Sequence, residues 1–360
     1  MRIIDSHLNR QILFGILTFC CFLLMTGAAQ ETNTPKTYPP PGKLVDVGGW
    51  RLHLNCAGKS KGKTPTVVLE AGSGDFSVDW SLAQPEIARF ARVCSYDRAG
   101  AGWSELGPRP RTMRQAVYEL HTALRKAGEK WPYVLVGHSL GGLLVRVYAG
   151  QYPKEVAGIV LVDSTHEDTS LMINGKFQRM RELSQGRPLP PIRTTISADE
   201  KELSEEEKRE IDDFLKQMGP PKISAPYNRL PAEIQAARLW ALSQPRHYAA
   251  DNAPYLAEEL AEIYADRQKQ EYPLGATPLV ALLPKPAAGN PPPGVAADEW
   301  RRVNEEKWRQ KEEFATLSRN SKLIVAENSG HHIHLDEPEV VINAIRQVFE
   351  AVRRGAKPLP

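Results

Sequence analysis

The chain has 360 residues, 41% hydrophobic and 25% charged, with 46 Lys and Arg against 43 Asp and Glu for a net charge of +3. That length exceeds what one minimal core needs and fits a core domain that carries a large insertion. The charges form no dense Lys/Arg stripe, which argues against nucleic acid as a partner.

At the N-terminus, Arg2 and Arg10 precede Ile12–Ala29, which is almost wholly apolar and ends in the small residues Gly27, Ala28 and Ala29. A basic start, an apolar run and a small-residue end are the pattern of an export signal over residues 1–29. An uncleaved membrane anchor through residues 12–29 is the alternative, since about 18 apolar residues just span a bilayer. The protein is accordingly expected to be exported, periplasmic or secreted, or anchored to a membrane by this segment. Cys20 and Cys21 lie inside this segment without the surroundings of a lipoprotein signal. Residues 30–42 are polar and Pro-rich and read as an extended linker.

Short β-type runs follow. LVDV at 44–47 and WRLHLNC at 50–56 flank Gly48 and Gly49, the pattern of a hairpin. TVVLEAG at 66–72 is apolar without alternation, as expected of a strand buried on both faces. RVCSYD (92–97), YVLVGH (133–138), GIVLVD (158–163), PLVALL (278–283) and KLIVAE (322–327) continue the series. Helical spacing falls between most of them, at 112–128, at Leu140–Tyr152 and after Asp336. Strands alternating with helices predict an α/β fold with a mostly parallel sheet covered on both faces and an antiparallel hairpin at its edge.

The alternation breaks between 165 and 275, where the sequence is charged, helical and punctuated by prolines. Ser204 and Glu207 form a capping box ahead of Ile211, Phe214, Leu215 and Met218 at helical spacing. This segment reads as a helical cap inserted after the sixth strand, with the core at 43–164 and 276–354. Tyr227, Trp240, His247 and Tyr255 are its candidate pocket-lining residues, or simply its own core.

Gly137-His138-Ser139-Leu140-Gly141 follows the buried run YVLV and opens a helix. In that context G-x-S-x-G is a strand–turn–helix elbow presenting a serine nucleophile. The turn forces unusual dihedrals at the serine, and the glycines leave room for helix and strand to cross closely. The helix N-terminus behind Ser139 favours developing negative charge. Serine needs a base, and SGHHIHLDEPE (329–339) lies just past the last strand. His331 is preferred because it follows the glycine that ends the turn. His332 and His334 are rivals, the latter expected to pack or cap the next helix.

These residues make the chain resemble the α/β-hydrolase family over roughly 43–354. The resemblance rests on GHSLG, on SYDRAGAGWS (95–104), on LVDS (161–164) and on GHHIHLDEP (330–338). It implies an eight-stranded α/β sheet, a serine-first triad and His331 as general base. The family's usual acid position follows the strand PLVALL, yet here the text is PKPAAGNPPPGVAA with no carboxylate before Asp298. Some members place the acid at the end of the preceding strand, where this chain has Asp163. Asp163 is therefore the preferred acid and Asp298 the runner-up, with Glu167 and Asp168 behind. The Leu140 amide supplies one oxyanion donor, and aligning Gly72 with the family glycine makes the Ser73 amide the other. Glu70 reads as a buried carboxylate on loop amides or Arg98, and Asp97 as a loop-holding residue.

The same resemblance puts Cys56 and Cys94 on neighbouring strands, so they form a disulfide or stay as two buried thiols. The implied activity is hydrolysis of an ester-like bond in a small-molecule acyl substrate, with no metal and no organic cofactor. An acyltransferase with the same triad and a low-turnover ligand-binding protein are the alternatives. A serine at the elbow excludes relatives that use an Asp nucleophile. Exported material is expected to begin near Gln30 on N-terminal sequencing; secreted protein beginning at Met1 would remove the cleaved-signal reading.

Overall fold

The computed structural model describes residues 38–359 except 61, 63, 174, 251–252, 286–290, 292 and 356–357. The expected leader and most of the linker lie outside the described residues. Among the described residues no helix is long and apolar enough to cross a membrane.

The strands run in chain order as β1 (Lys43–Asp46), β2 (Arg51–Ala57), β3 (Thr66–Glu70), β4 (Arg92–Tyr96), β5 (Tyr133–His138), β6 (Val156–Val162), β7 (Ser170–Ile173), β8 (Lys176–Arg179), β9 (Leu279–Pro284) and β10 (Ser321–Ala326). Eight of them form one sheet in the order β1-β2-β4-β3-β5-β6-β9-β10, and β7 pairs with β8 apart from it. The β1–β2 and β2–β4 pairs are antiparallel. The pairs from β4 through β10 are parallel. The fold is thus the α/β arrangement expected, with the hairpin at one edge.

Residues of β3 and β5 are buried throughout, because helices cover both faces. Alternation then divides the core. Val67, Leu69, Val134, Val136, Val160 and Val162 pack on one face. Val68, Tyr133, Leu135, Ile159 and Leu161 pack on the other. Each such aliphatic side chain contributes about 1.5–3 kcal/mol on burial. Met113–Lys126 and Leu140–Gln151 cover the second face with Leu120, Leu124, Leu143 and Tyr148. Pro338–Arg353 covers the first with Val341, Ile345 and Val348.

Between β6 and β9 lie helices Glu205–Met218, Ala232–Leu242, Pro245–Ala250 and Leu256–Arg267. The expected capping box forms, with Glu207 N–H on Ser204 Oγ and Ser204 N–H on Glu207. The segment is not wholly helical, because β7 and β8 form an antiparallel hairpin within it. The two strands are only four residues each, too short for alternation to mark them in the sequence. A further helix, Ala297–Glu312, follows β9 where the sequence reading has only a Pro-rich loop. Its core-facing residues are sparse, with Val303 and Gln310 buried, so it carries little apolar periodicity.

Cys56 and Cys94 face each other across β2 and β4 and are joined as a disulfide. The bond closes a segment of 38 residues and ties the edge hairpin to the parallel sheet. Constraining the unfolded chain over such a loop is worth about 2–4 kcal/mol. A double Cys56→Ala, Cys94→Ala variant should lose stability of that order in urea unfolding, and non-reducing peptide mapping should recover the linked pair. Two free thiols in oxidised protein would contradict the bond.

Candidate active site

Ser139 sits between β5 and helix Leu140–Gln151 at φ 52°, and Asp163 just past β6 at φ 40°. They are the non-glycine residues with positive φ among the described residues. Each such conformation costs about 1–3 kcal/mol and persists only where the surroundings dictate it. The packing around Ser139 does so. A Cβ on Gly137 would stand 2.4 Å from the Gly141 carbonyl, and one on Gly141 would stand 2.6 Å from that of Ala71. The two glycines therefore let the helix start directly against β5 and the loop after β3. Backbone bonds lock the turn, with Ser139 N–H on the Val162 carbonyl at 3.1 Å and Thr165 N–H on the Ser139 carbonyl at 2.9 Å.

β5 and β6 are neighbours, and β9 separates β6 from β10. The C-terminal ends of these strands bring the three candidate residues together. His331 Nδ1 lies 2.6 Å from Asp163 Oδ2. That carboxylate is an acceptor, so Nδ1 carries the proton and Nε2 is left for other chemistry. Asp163 is 4% exposed. Burial works to raise its pKa, but Lys311, 2.5 Å from Oδ1, and His331 outweigh it and hold the carboxyl well below the usual carboxylate range.

The rival bases are occupied elsewhere. Burial pushes His332 down to about 3, so its ring is neutral, and its Nε2 lies 2.8 Å from the Tyr227 hydroxyl. His334 is buried, its pKa lowered by that burial, and packs on Trp80 with ring centres 4.7 Å apart. His138 supports His331 from below, with Nε2 3.0 Å from the His331 carbonyl. The rival acids are likewise engaged. Glu167 lies on Arg146 at 2.6 Å, Asp168 on Arg179 and Arg181, and Asp298 is exposed in the first turn of Ala297–Glu312.

Ser73 and Leu140 line the same cavity as Ser139 and His331. The loop that carries Ser73 is clamped by Arg98, whose Nη1 donates to Glu70 Oε1 at 2.7 Å and to the Ala71 carbonyl at 2.8 Å, and whose Nη2 donates to the Gly72 carbonyl. Glu70, its pKa raised by burial, thus serves as Arg98's counter-ion, as read from sequence. Asp97 accepts from Ser77 N–H at 2.8 Å and Trp103 N–H at 2.9 Å and pairs with buried His53, which makes it architectural.

The cavity has a volume of about 1150 Å³. Its apolar wall includes Leu143, Leu171, Met180, Leu256 and Leu260, and Trp300 and Trp308 join from helix Ala297–Glu312. Of the two readings for Tyr227, Trp240, His247 and Tyr255, the structure gives packing and not lining, among the described residues. Trp240 packs on Trp103, His247 on Phe76 and Tyr255 beneath Arg187. Tyr227 instead donates to Asp75 Oδ1 at 2.6 Å, where Arg238 Nη2 also binds at 3.0 Å. Arg238 further pairs with Asp79. This network joins the inserted segment to the floor of the site, and sequence reading missed it. Asp75 stands two residues past Ser73, but nothing in spacing points to Arg238, 163 residues on. Asp75, His138 and His334 bring metal-ligand atoms within 4.8 Å of one another, yet the Arg238 guanidinium already supplies a cation to Asp75.

The model of the alpha/beta hydrolase fold family matches residues 65–254. A probable transporter, efuK, of Hormonema carpetanum is 26% identical over 320 residues, covering 85% of this chain; the chain spans only 42% of that relative's length. The uncharacterised protein YqjL of Bacillus subtilis is 25% identical over 318 residues, covering 88% of this chain and 95% of that one. A solved esterase from Thermogutta terrifontis shares the fold at a TM-score of 0.56 and 21% identity, covering 86% of this chain and 99% of its own. With more than half its length matched by the family model, the chain belongs to the alpha/beta hydrolase fold family.

Proposed function

We propose that the chain is a serine hydrolase that cleaves an ester-like bond of a small acyl substrate through an acyl-enzyme on Ser139. One observation carries the reading: the 2.6 Å contact of His331 Nδ1 with Asp163 Oδ2, beside a strained serine in a shared cavity. Membership of a hydrolase-rich family and the esterase among the structural neighbours support hydrolysis as the reaction type.

In this mechanism the Nε2 of His331 takes the Ser139 proton as Oγ attacks the acyl carbon. The Leu140 and Ser73 amides stabilise the oxyanion, helped by the N-terminus of helix Leu140–Gln151. Asp163 fixes the tautomer of His331 and stabilises the imidazolium that forms. His331 then protonates the leaving group, and a water activated by the same ring releases the acid. The apolar wall suits a hydrophobic acyl or alcohol portion. The Cys56–Cys94 disulfide and the apolar stretch Ile12–Ala29 support an exported location, where disulfides persist.

A fluorophosphonate probe is expected to label Ser139, and Ser139→Ala to abolish both labelling and turnover across a panel of p-nitrophenyl esters of varied chain length. Unlabelled Ser139 in folded protein would favour a ligand-binding role instead. Asp163→Asn should lower kcat by roughly 10²–10⁴-fold, since the wrong tautomer of His331 then faces Ser139. Near-normal turnover of that variant would remove Asp163 as the acid.

A further inference from the structure

Each oxygen of the Asp163 carboxylate has its own partner. Oδ2 meets His331 Nδ1 at 2.6 Å, and Oδ1 meets Lys311 Nζ at 2.5 Å. Lys311 stands at the end of helix Ala297–Glu312, which follows β9. That is the stretch from which the family resemblance would draw the acid. Here it delivers a cation to an acid that has moved to the end of β6.

The helix is placed by contacts of its own. Gln310, beside Lys311, is buried and donates to the Asp168 carbonyl at 2.7 Å, five residues past Asp163. Glu306 pairs with Arg179, which also holds Asp168. The segment after β6 and the helix after β9 are thus stitched together around Asp163. A lysine in the last turn of a helix also meets the negative end of the helix dipole favourably.

We propose that Lys311 is a positioning residue of this site, orienting Asp163 through Oδ1 and reducing the negative charge that Asp163 presents to His331. The inference rests on the Ser139–His331–Asp163 reading above. A carboxylate is a planar group free to rotate about its side-chain bond, and a second, charged contact on Oδ1 fixes the plane that aims Oδ2 at His331. The same ammonium offsets part of the carboxylate charge, so its removal leaves the full carboxylate charge facing the ring.

Other charged and titratable groups face the pair. Lys307, on the same helix, is lowered to about 8 by burial and by Lys311, against the pull of Asp163. His138 and His332 lie with ring centres 4.7 and 5.1 Å from His331, and His334 packs 4.4 Å from His138. Behind them Asp75 approaches His138 at 3.5 Å and His332 at 3.9 Å and is paired with Arg238. These groups are common to every variant at position 311; among them Lys307 also feels the loss of the Lys311 charge, so Lys311→Arg, which keeps that charge, is the control.

The test is the pH dependence of kcat/KM on a neutral p-nitrophenyl ester, and of fluorophosphonate labelling, for the unmodified protein, Lys311→Met, Lys311→Gln and Lys311→Arg, with melting temperatures recorded alongside. Loss of the ammonium should move the acidic limb of both profiles to higher pH by about half to one unit. It should also lower kcat about tenfold with KM changed less than twofold. Lys311→Arg should restore the limb. An unchanged limb in a folded charge-free variant overturns the proposal, as does an Arg variant that behaves like Met or a KM rise with kcat intact. Absence of labelling in the unmodified protein overturns the triad reading itself, and this inference with it.

Discussion

A carboxylate removed from water must be matched by charge or protonated, and Asp163 is removed almost completely. Everything around the candidate site answers that constraint. His331 takes one oxygen and Lys311 the other. The two partners come from loops and helices after β10 and β9, so a single buried side chain holds together the ends of β6, β9 and β10. Breaking a buried pair by deleting one partner typically costs 3–5 kcal/mol, because the other is left charged and dry. The positive φ at Asp163 belongs to the same account. The backbone is turned into an unfavourable region so that the carboxylate points across β9, and its contacts there offset the strain.

The floor of the cavity repeats the device. Arg98 clamps the Ala71 and Gly72 carbonyls with Glu70 as its counter-ion. Arg238 and Tyr227 reach from the inserted segment onto Asp75 and Asp79. The Asp79 carboxyl is pushed up to about 7 by burial, with Arg238 acting against that rise, while Asp75 is held well below the usual carboxylate range. Arg238 is thus the shared cation of two acids, and the charge between them is unevenly divided. The inserted segment and the floor of the site are thus joined by buried hydrogen bonds and ion pairs.

What the sequence made legible was local. The elbow is a contiguous motif whose glycines have a steric reason that composition already suggests, and the structure supplies the contacts, 2.4 and 2.6 Å from a hypothetical Cβ. Buried strands of a parallel sheet read as unbroken apolar runs, so β3, β5 and β6 were plain. The pairing of Asp163 with His331 was within reach because the stretch after PLVALL lacks a carboxylate, which turns attention to the end of the preceding strand. The rest was long-range. Lys311 is 148 residues from Asp163 in a helix with only Val303 and Gln310 buried, and no periodicity marks it. The aromatics of the insertion read equally as pocket lining or as its own core, because composition cannot say which side of a helix faces a cavity. In the structure Trp240 and His247 pack among Trp103 and Phe76.

Under the proposed triad, a carboxylate at the end of β6 also changes what the segment after β9 has to do. In the arrangement the resemblance implies, that segment would carry the acid, and its length and packing would be limited by the aim of one side chain. With the carboxylate on β6, the aim is set by a strand end, whose backbone is fixed on both sides, Asp163 N–H binding the Leu282 carbonyl at 2.9 Å. The segment after β9 is then free to become a helix that serves two surfaces. Trp300 and Trp308 line the cavity, and Lys311 reaches the acid. Cavity wall and the Asp163 contact therefore sit on one helix, about three turns apart at most. The Gln310–Asp168 bond and the Lys311 ion pair tie that helix to the end of β6 at two points, so its packing and the setting of Asp163 share the same contacts.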